Sequence, residues 1–287
     1  MFRTLQFTLP IFFAASVFAA APLECLIIDG QNNHKWQETT PILKKQLEEG
    51  GLFACDVVTS PPAKGDFSGF NPDFAKYPVV VSNYNGEPWP QAVMDNFEKF
   101  VRNGGGFVSY HAADNAFPEW KAFNQMIALG GWGGRDEKSG PMARFRDGRL
   151  VVEAKPGKGG HHGQRHEYQI ATRDAQHPIM KGMPRLWMHA KDELYDSMRG
   201  PAENMHVLGT ALSKTEFGGT GEHEPLLFTV KYGNGRVFHT MLGHDMEAMN
   251  CTGFMVTLRR GTEWAATGKV KQKLLRDLPS ADRVATR

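Results

Sequence analysis

The stretch GGGFVSYHAADNAF, residues 104–117, decides how this chain is read. Its glycines break whatever element precedes them, Phe107-Val108-Ser109-Tyr110 has the length of a buried strand, and His111-Ala112-Ala113-Asp114 turns that strand into a polar loop. A strand ending in a sharp turn before a helix is where several α/β enzymes place a nucleophile. No GxSxG or GxCxG surrounds His111, so serine or cysteine acyl transfer is unsupported here. The imidazole is then a general base, a metal ligand, or a core histidine satisfied by hydrogen bonds.

Upstream, the rhythm is that of a parallel sheet. Leu26-Ile27-Ile28, ending in Asp29-Gly30, reads as a buried first strand. Thr40-Pro41 supplies a helix start, ILKKQLEE follows at residues 42–49, and Gly50-Gly51 supplies the stop. Residues 53–59 and 78–82 read as the second and third strands, and PQAVMDNFEKFVR, residues 90–102, has helical spacing. The order β-α-β-(α)-β-α-β predicts α/β architecture with helices on both faces of a mainly parallel sheet.

Downstream, the rhythm changes. MARFRDGRLVVEA, residues 142–154, alternates around Asp147-Gly148 as a β-hairpin does. After the glycine- and histidine-rich GKGGHHGQRHEY, residues 157–168, a strand is expected at 167–171. This middle region reads as an insertion at the end of the sheet where the parallel strands terminate. The sheet resumes at 205–212 and 226–230, turns at Asn234-Gly235, returns at 237–241, and is covered by a last helix over 254–266. Residues 269–287 are polar and charged and read as a loosely held tail.

The balance of 33 Lys and Arg against 31 Asp and Glu, a net charge of +2, gives no electrostatic case for a nucleic-acid partner. Cys25, Cys55 and Cys251 are too scattered for a disulfide framework; one bridge among them is open in an oxidising compartment, with its pairing unreadable. The absence of a CxxC pair argues against a cysteine zinc site. Residues 1–20 open MFRTLQFTLP and continue through an apolar run to Val17-Phe18-Ala19, the pattern of a secretory signal peptide, so a periplasmic or secreted protein is expected. Lipidation at Cys25 is disfavoured by Glu24 before it. Thr8 and Pro10 interrupt the apolar run, which falls short of the roughly 20 residues of a membrane span.

In open α/β sheets ligands bind beyond the carboxyl ends of the parallel strands. Those ends carry residues 29–34 with His34, Asn83-Tyr84-Asn85, residues 111–115, and Gly243-His244-Asp245, although each of these residues could instead be a turn former or a helix cap. In WMHAKDELYDS, residues 187–197, His189 and Glu193 would share a face of a helix at i, i+4; the alternative is an ion-paired surface turn. His239 alternates with Phe238 and Thr240 and is expected inside the sheet. His162 and His166 have the same i, i+4 spacing, but Gly159, Gly160 and Gly163 are poor helix material, and gathering three loop imidazoles round an ion carries an ordering cost. A rim role, donating hydrogen bonds to a polyhydroxylated ligand, suits them better than ligation. Trp36, Trp89 and Trp132 are available to stack on sugar faces, with core packing the alternative.

Several separated motifs in register resemble one family. GGGFVSYHAADNAF, HPIMKGMP at 177–184, DELY at 192–195 and GNGRVFHTMLGHD at 233–245 look like the landmarks of the ThuA-like (trehalose utilisation) domain, over residues 24–268. The resemblance implies a flavodoxin-like, class I glutamine amidotransferase-like three-layer sandwich and a role in the metabolism of disaccharides or 3-keto glycosides. His111 stands where true amidotransferases carry their nucleophilic cysteine, which argues against glutaminase activity. The positions that transfer are His34, His111, Asp192, Glu193 and His244. Together these readings give His111, Glu193 and Asp192 as acid/base residues, with His34, His111 and His244 as ligands of a divalent metal such as zinc. Asn83, Tyr84, Asn115, Trp36, Trp132 and Asp245 are expected to contact the substrate, and no nucleotide cofactor is expected. The expected activity is His-based chemistry on a carbohydrate; a non-catalytic sugar-binding protein and a metal-dependent hydrolase of another polar substrate are the alternatives.

Overall fold

The computed structural model describes residues 21–287, so the leader-like residues 1–20 lie outside it. Its first strand, β1 (Leu23–Asp29), is buried from Cys25 onward, because it lies inside the sheet with layers above and below. It is followed by α1 (Trp36–Glu49), β2 (Phe53–Thr59), β3 (Val79–Ser82), α2 (Gln91–Arg102), β4 (Gly106–Tyr110) and α3 (Lys121–Ile127). Helix α1 starts four residues before the expected Thr40-Pro41. Pro41 sits one turn in and removes a bond to the Gln37 carbonyl, a loss that an exposed residue such as Gln37 tolerates.

Beyond α3 come the hairpin β5 (Met142–Arg146) and β6 (Arg149–Glu153), then β7 (His161–His162), β8 (His166–Thr172), β9 (Leu186–Asp192), β10 (Tyr195–Asp196) and β11 (Met205–Leu212). The chain closes with β12 (His223–Tyr232), β13 (Gly235–Thr240), α4 (Met246–Met249) and α5 (Thr252–Thr267). The central nine-stranded sheet has the order β2-β1-β3-β4-β13-β12-β11-β8-β9. Pairing is parallel from β2 to β13 and antiparallel from β13 to β9.

Alternation along β4 shows the three layers. Phe107 packs against Phe97 of α2 and Phe123 of α3, at ring separations of 5.1 and 5.9 Å, while Tyr110 points the other way and meets Phe254 of α5 at 6.1 Å. Helices thus cover both faces, the arrangement that satisfies parallel strands buried on both sides. Helix α5 approaches closely because it carries glycines at the contacts: a Cβ on Gly261 would lie 2.1 Å from the Phe238 ring, and one on Gly253 2.4 Å from Trp187.

Three expectations are corrected, and the alternatives left open for residues 187–197 are both replaced. The middle region is more than an insertion, since β8 and β9 form one edge of the main sheet. The 187–197 segment is not helical: Trp187, His189 and Asp192 are buried strand residues opposite β8, with Tyr168 facing His189. The last hairpin turns through Gly233 and Asn234, one residue early, because the Arg102 carbonyl at the end of α2 accepts from Asn234 N at 2.9 Å and occupies the space a Cβ on Gly233 would need. The 269–287 tail is pinned along the free edge of β9, with Met188 N donating to Ser280 O (2.7 Å), Gln169 Nε2 to Ala281 O (2.6 Å) and Thr252 N to Ala285 O (2.8 Å). That edge would otherwise expose unpaired backbone donors. Cys25, Cys55 and Cys251 are buried free thiols, and no described helix is long and apolar enough to cross a membrane.

Candidate active site at the strand ends

A ladder of carboxamides ties the loops after β1, β3 and β4 together. Asn32 Nδ2 donates to Asn83 Oδ1 (3.0 Å), Asn83 Nδ2 donates to Thr39 and Thr40 Oγ1 (3.0 Å each), and Asn85 Oδ1 accepts from Asn33 N (3.1 Å) while its Nδ2 reaches Ala112 O (3.1 Å). Asn32 Oδ1 also accepts from His34 N at 2.8 Å, which sets the His34 backbone. Gly30 makes the first turn of this loop at φ +124°, where a Cβ would lie 2.3 Å from Ser60 Oγ.

His111 takes φ +44° directly after β4, a left-handed conformation that costs a non-glycine residue backbone energy. The turn aims the ring back over the strand ends. There Nδ1 lies 2.8 Å from Met241 O, and Nε2 lies 2.9 Å from the Tyr195 hydroxyl. Because a carbonyl can only accept, Nδ1 carries the proton and the Nε2 lone pair faces the cluster.

Around that lone pair stand His34, His244 and Glu193. The His34 ring lies 4.9 Å from that of His111 and 4.6 Å from that of His244. Glu193 Oε2 is 3.7 Å from His111 Nε2 and 3.1 Å from His244 Nδ1, and Oε1 is 3.5 Å from His162 Nε2. The 3.1 Å contact lacks hydrogen-bond alignment, which leaves His244 Nδ1 buried without a hydrogen-bond partner. One donor atom from each of His34, His111, Glu193 and His244 lies within 4.8 Å of all the others.

Burial first, and the neighbouring His111 and His244 second, hold the His34 pKa down to about 3, so its ring is neutral. Burial opposes charge on His111 as well, but Glu193 and Asp192 outweigh it and shift that imidazole upward. For Glu193 burial is again outweighed, here by His111 and His244, and the carboxylate lies far below its ordinary range. His111 and Glu193 are therefore poised as a charge-sharing pair.

The cluster opens into a cavity of about 340 Å³, walled by Asn33, Asn85, Asn115, Trp132, His162 and Tyr195. Its lining contains no Lys or Arg. The Trp132 ring stands 4.6 Å from Tyr195, and Asn115 Oδ1 is buried without a partner. Arg135, almost wholly buried, fixes this wall by donating to Asn115 O (3.0 Å), Ala116 O (2.7 Å) and Gly131 O (2.9 Å).

The glycine-rich stretch reaches the same cavity. Strand β7 pairs with β10, His161 Nδ1 is 2.9 Å from the buried Asp196 carboxylate, and His162 turns inward as a wall. The glycines are clearance: a Cβ on Gly160 would lie 2.5 Å from Trp132 N, and one on Gly163 2.0 Å from Phe217 O. His166 points away and stacks on Phe217 at 3.8 Å.

The comparisons with known proteins identify the family. The family model described as trehalose utilisation, ThuA, matches residues 24–265. The chain belongs to the ThuA family. It is similar, at 53% identity and a TM-score of 0.91, to the crystal structure of a ThuA-like protein from Parabacteroides merdae, with 93% of this chain and 98% of that one covered. A ThuA-like protein from Bacteroides uniformis, 20% identical with a TM-score of 0.58 over 90% of this chain and 97% of the other, shares the fold. No curated protein matches the chain significantly.

Within this ThuA-family site the expected residues separate. His34, His111, His244 and Glu193 meet at one point, and Asn115 and Trp132 line its cavity. Asp192 does not touch the cavity: its buried carboxylate accepts from Gly243 N (2.7 Å), His244 N (3.1 Å), Glu193 N (2.8 Å) and lies 2.8 Å from His189 Nε2, so it positions the site. Asn83 is consumed by the carboxamide ladder. Tyr84 is core, with its hydroxyl on Glu87 O at 2.5 Å and its ring on Trp89 and Phe117. Trp36 lines a separate neighbouring groove, and Asp245 caps α4 through Ala248 N (3.2 Å) while pairing with Arg165 (2.5 Å). His239 is buried, with Nδ1 2.9 Å from Ile127 O, as its alternation implies. Tyr195, to which the sequence assigned no role, bridges His111 and the cavity; its place in DELY was the only signal.

Proposed function

We propose that the cavity binds an uncharged sugar unit and that Glu193 and His111 carry out proton transfer on it. The observation that carries the reading is the convergence of three imidazoles and one carboxylate at the head of a cavity lined by carboxamides and an indole. Carboxamides both donate to and accept from hydroxyls, and an indole face suits the apolar face of a pyranose. With no cation in the lining, an uncharged polyol is favoured over a sugar phosphate. Family membership supports a carbohydrate as the class.

The substrate that suits this chemistry is a disaccharide or glycoside oxidised at C3. A C3 ketone acidifies the C2 proton, so a base can remove it, the enolate can expel the C1 substituent, and the departing oxygen collects a proton. Glu193 is the carboxylate on the cavity wall and passes the C2 proton to His111 behind it, the stronger base of the pair; the Tyr195 hydroxyl and His162 line the same cavity and return a proton to the leaving oxygen. The leader-like residues 1–20 support a site of action outside the cytoplasm.

The test is incubation of the purified chain with a 3-keto disaccharide and with its unoxidised parent, following free monosaccharide and the unsaturated keto product. Turnover of the keto substrate is expected, reduced roughly 10²–10⁴-fold in Glu193→Gln. Saturable binding with no product at high protein concentration would leave a sugar-binding protein instead, and neither binding nor product ends the reading.

A further inference from the structure

We infer that His34, His111, His244 and Glu193 form a binding site for one divalent transition-metal ion, with its exchangeable side toward the cavity walled by Asn33, Asn115 and Trp132. The inference deepens the functional reading above but stands on separate observations. Three of them concern geometry.

The first is convergence. The four donor atoms lie within 4.8 Å of one another although they come from loops after β1, β4, β9 and β13. Tetrahedral ligation at about 2.0–2.1 Å needs donors about 3.4 Å apart. The Glu193 contacts, at 3.1 Å to His244 and 3.7 Å to His111, already bracket that spacing, so closing the remainder requires side-chain movement of about 1 Å.

The second is the state of the lone pairs. Nδ1 of His111 is committed to Met241 O at 2.8 Å, which fixes the tautomer that metal-ligating histidines use and turns the Nε2 lone pair toward the cluster, where an ion would replace its 2.9 Å contact with the Tyr195 hydroxyl. His244 Nδ1 is buried with no hydrogen-bond partner and faces Glu193. A buried imidazole nitrogen without a partner is costly, and an ion at this point would satisfy it.

The third is rigidity. The fully buried Asp192 carboxylate accepts from the backbone N–H groups of Glu193, Gly243 and His244, holding two of the four donors on one frame. Asn32 fixes the backbone of a third, His34. Donors preset in this way lose little entropy when they gather round an ion. By contrast His161 and His166 of the glycine-rich stretch are spent on Asp196 and Phe217.

Three imidazoles and one carboxylate select zinc and its neighbours Co²⁺, Ni²⁺ or Fe²⁺ over Ca²⁺ and Mg²⁺, which favour oxygen ligands. Glu193 and His34 are the two donors that line the cavity, and the carboxylate is the one a substrate oxygen would displace. An ion there would occupy His111 Nε2, take over from that imidazole the stabilisation of charge by binding the keto and hydroxyl oxygens of a sugar, and leave the displaced carboxylate to take the proton.

The experiment uses the full chain without a histidine tag, stripped with chelator and titrated with Zn²⁺ and, separately, Co²⁺, read by calorimetry, elemental analysis and the visible Co²⁺ spectrum. One ion per chain is expected. His34→Ala and His244→Ala should each weaken binding about 100-fold or more. The His161→Ala/His166→Ala double variant should bind as the parent does, and circular dichroism establishes that each variant is folded. No stoichiometric ion in the parent overturns the inference. So does unchanged binding in folded His34→Ala, or loss of binding in the double variant. A protein that binds the ion but turns over no keto-glycoside removes only the functional reading. Full turnover in excess chelator, with no ion bound in the titration, removes only the metal.

Discussion

The two halves of the central sheet contribute to the site in different ways. The parallel half, β2 to β13, supplies His34, His111 and His244 from loops that all emerge at the same end of the sheet, as right-handed crossovers require. The antiparallel half supplies Glu193 directly after β9, and the separate two-stranded sheet of β10 and β7 that continues from it supplies Tyr195 and His162. In the first half the strand order delivers each site residue to the crevice, and hydrogen bonds from Asn32 and Asp192 only adjust His34 and His244; in the second, hydrogen bonds alone place the residue, above all those of Asp192. The parallel half can therefore lose core contacts without losing the site, whereas the antiparallel half cannot lose its polar contacts.

The sharpest way to break this contrast is to injure both halves comparably. Asp192→Ala should cost about 3–5 kcal/mol, because it leaves His189 and three backbone donors without their buried acceptor, and the folded fraction should also lose activity. Ile27→Ala, in the centre of β1, should cost about 2–5 kcal/mol through the cavity it leaves, yet keep activity per folded molecule. Urea unfolding and activity measured on the same preparations check the pair; equal activity losses would erase the distinction.

A smaller effect is expected at Gly163, where a Cβ would fall 2.0 Å from Phe217 O. Gly163→Ala should cost about 1–3 kcal/mol as backbone moves to relieve the clash, and it should raise the KM for sugar by displacing His162. Gly148→Ala, at a hairpin tip where nothing lies within 4 Å, is the control: it meets only the strain of φ +76° and should leave KM unchanged. Tyr195→Phe removes one hydroxyl from His111 and should cost about 1 kcal/mol; because the ring contact with Trp132 survives, kcat should fall more than KM rises.

The smallest expected effect is on pH. Burial first, with His206 beside it, lowers His177 to about 4. A histidine held neutral in the folded state contributes stability that is complete above about 6.5, its unfolded value, and is lost as pH falls toward 4. Asp174, which faces His206 at 2.9 Å, partly offsets the loss. A His177→Gln variant should therefore show a shallower fall in melting temperature between pH 6.5 and pH 4.

How much of this was legible varies with the kind of signal. The strands of the parallel half could be read because burial on both faces forces continuous apolar runs such as Leu26-Ile27-Ile28, and polar residues directly after such runs fall at the crevice. The His-rich loop could not be read, because its glycines serve clearance against Trp132 and Phe217, partners distant in sequence. The sequence leaves the DELY segment between a helix, for which His189 and Glu193 have i, i+4 spacing, and a surface turn, and it is neither: Trp187, His189 and Asp192 owe their burial to pairing with β8. Tyr84 followed the same rule of strand ends as His111, and Trp36 qualified by the stacking an indole allows, but a side chain's direction is set by packing, and theirs led elsewhere.

Sequence alone determined the α/β class, the family and the loops that carry the three imidazoles, since these follow from local periodicity and from motifs contiguous in the chain. Tertiary structure alone decided that those imidazoles share one point with Glu193, that Asp192 is their support, and that Tyr195 and His162 close the cavity. The reason is physical: periodicity is a property of neighbours along the chain, whereas the meeting of donor atoms depends on strand pairing, a left-handed turn at His111 and buried hydrogen bonds between residues far apart in it.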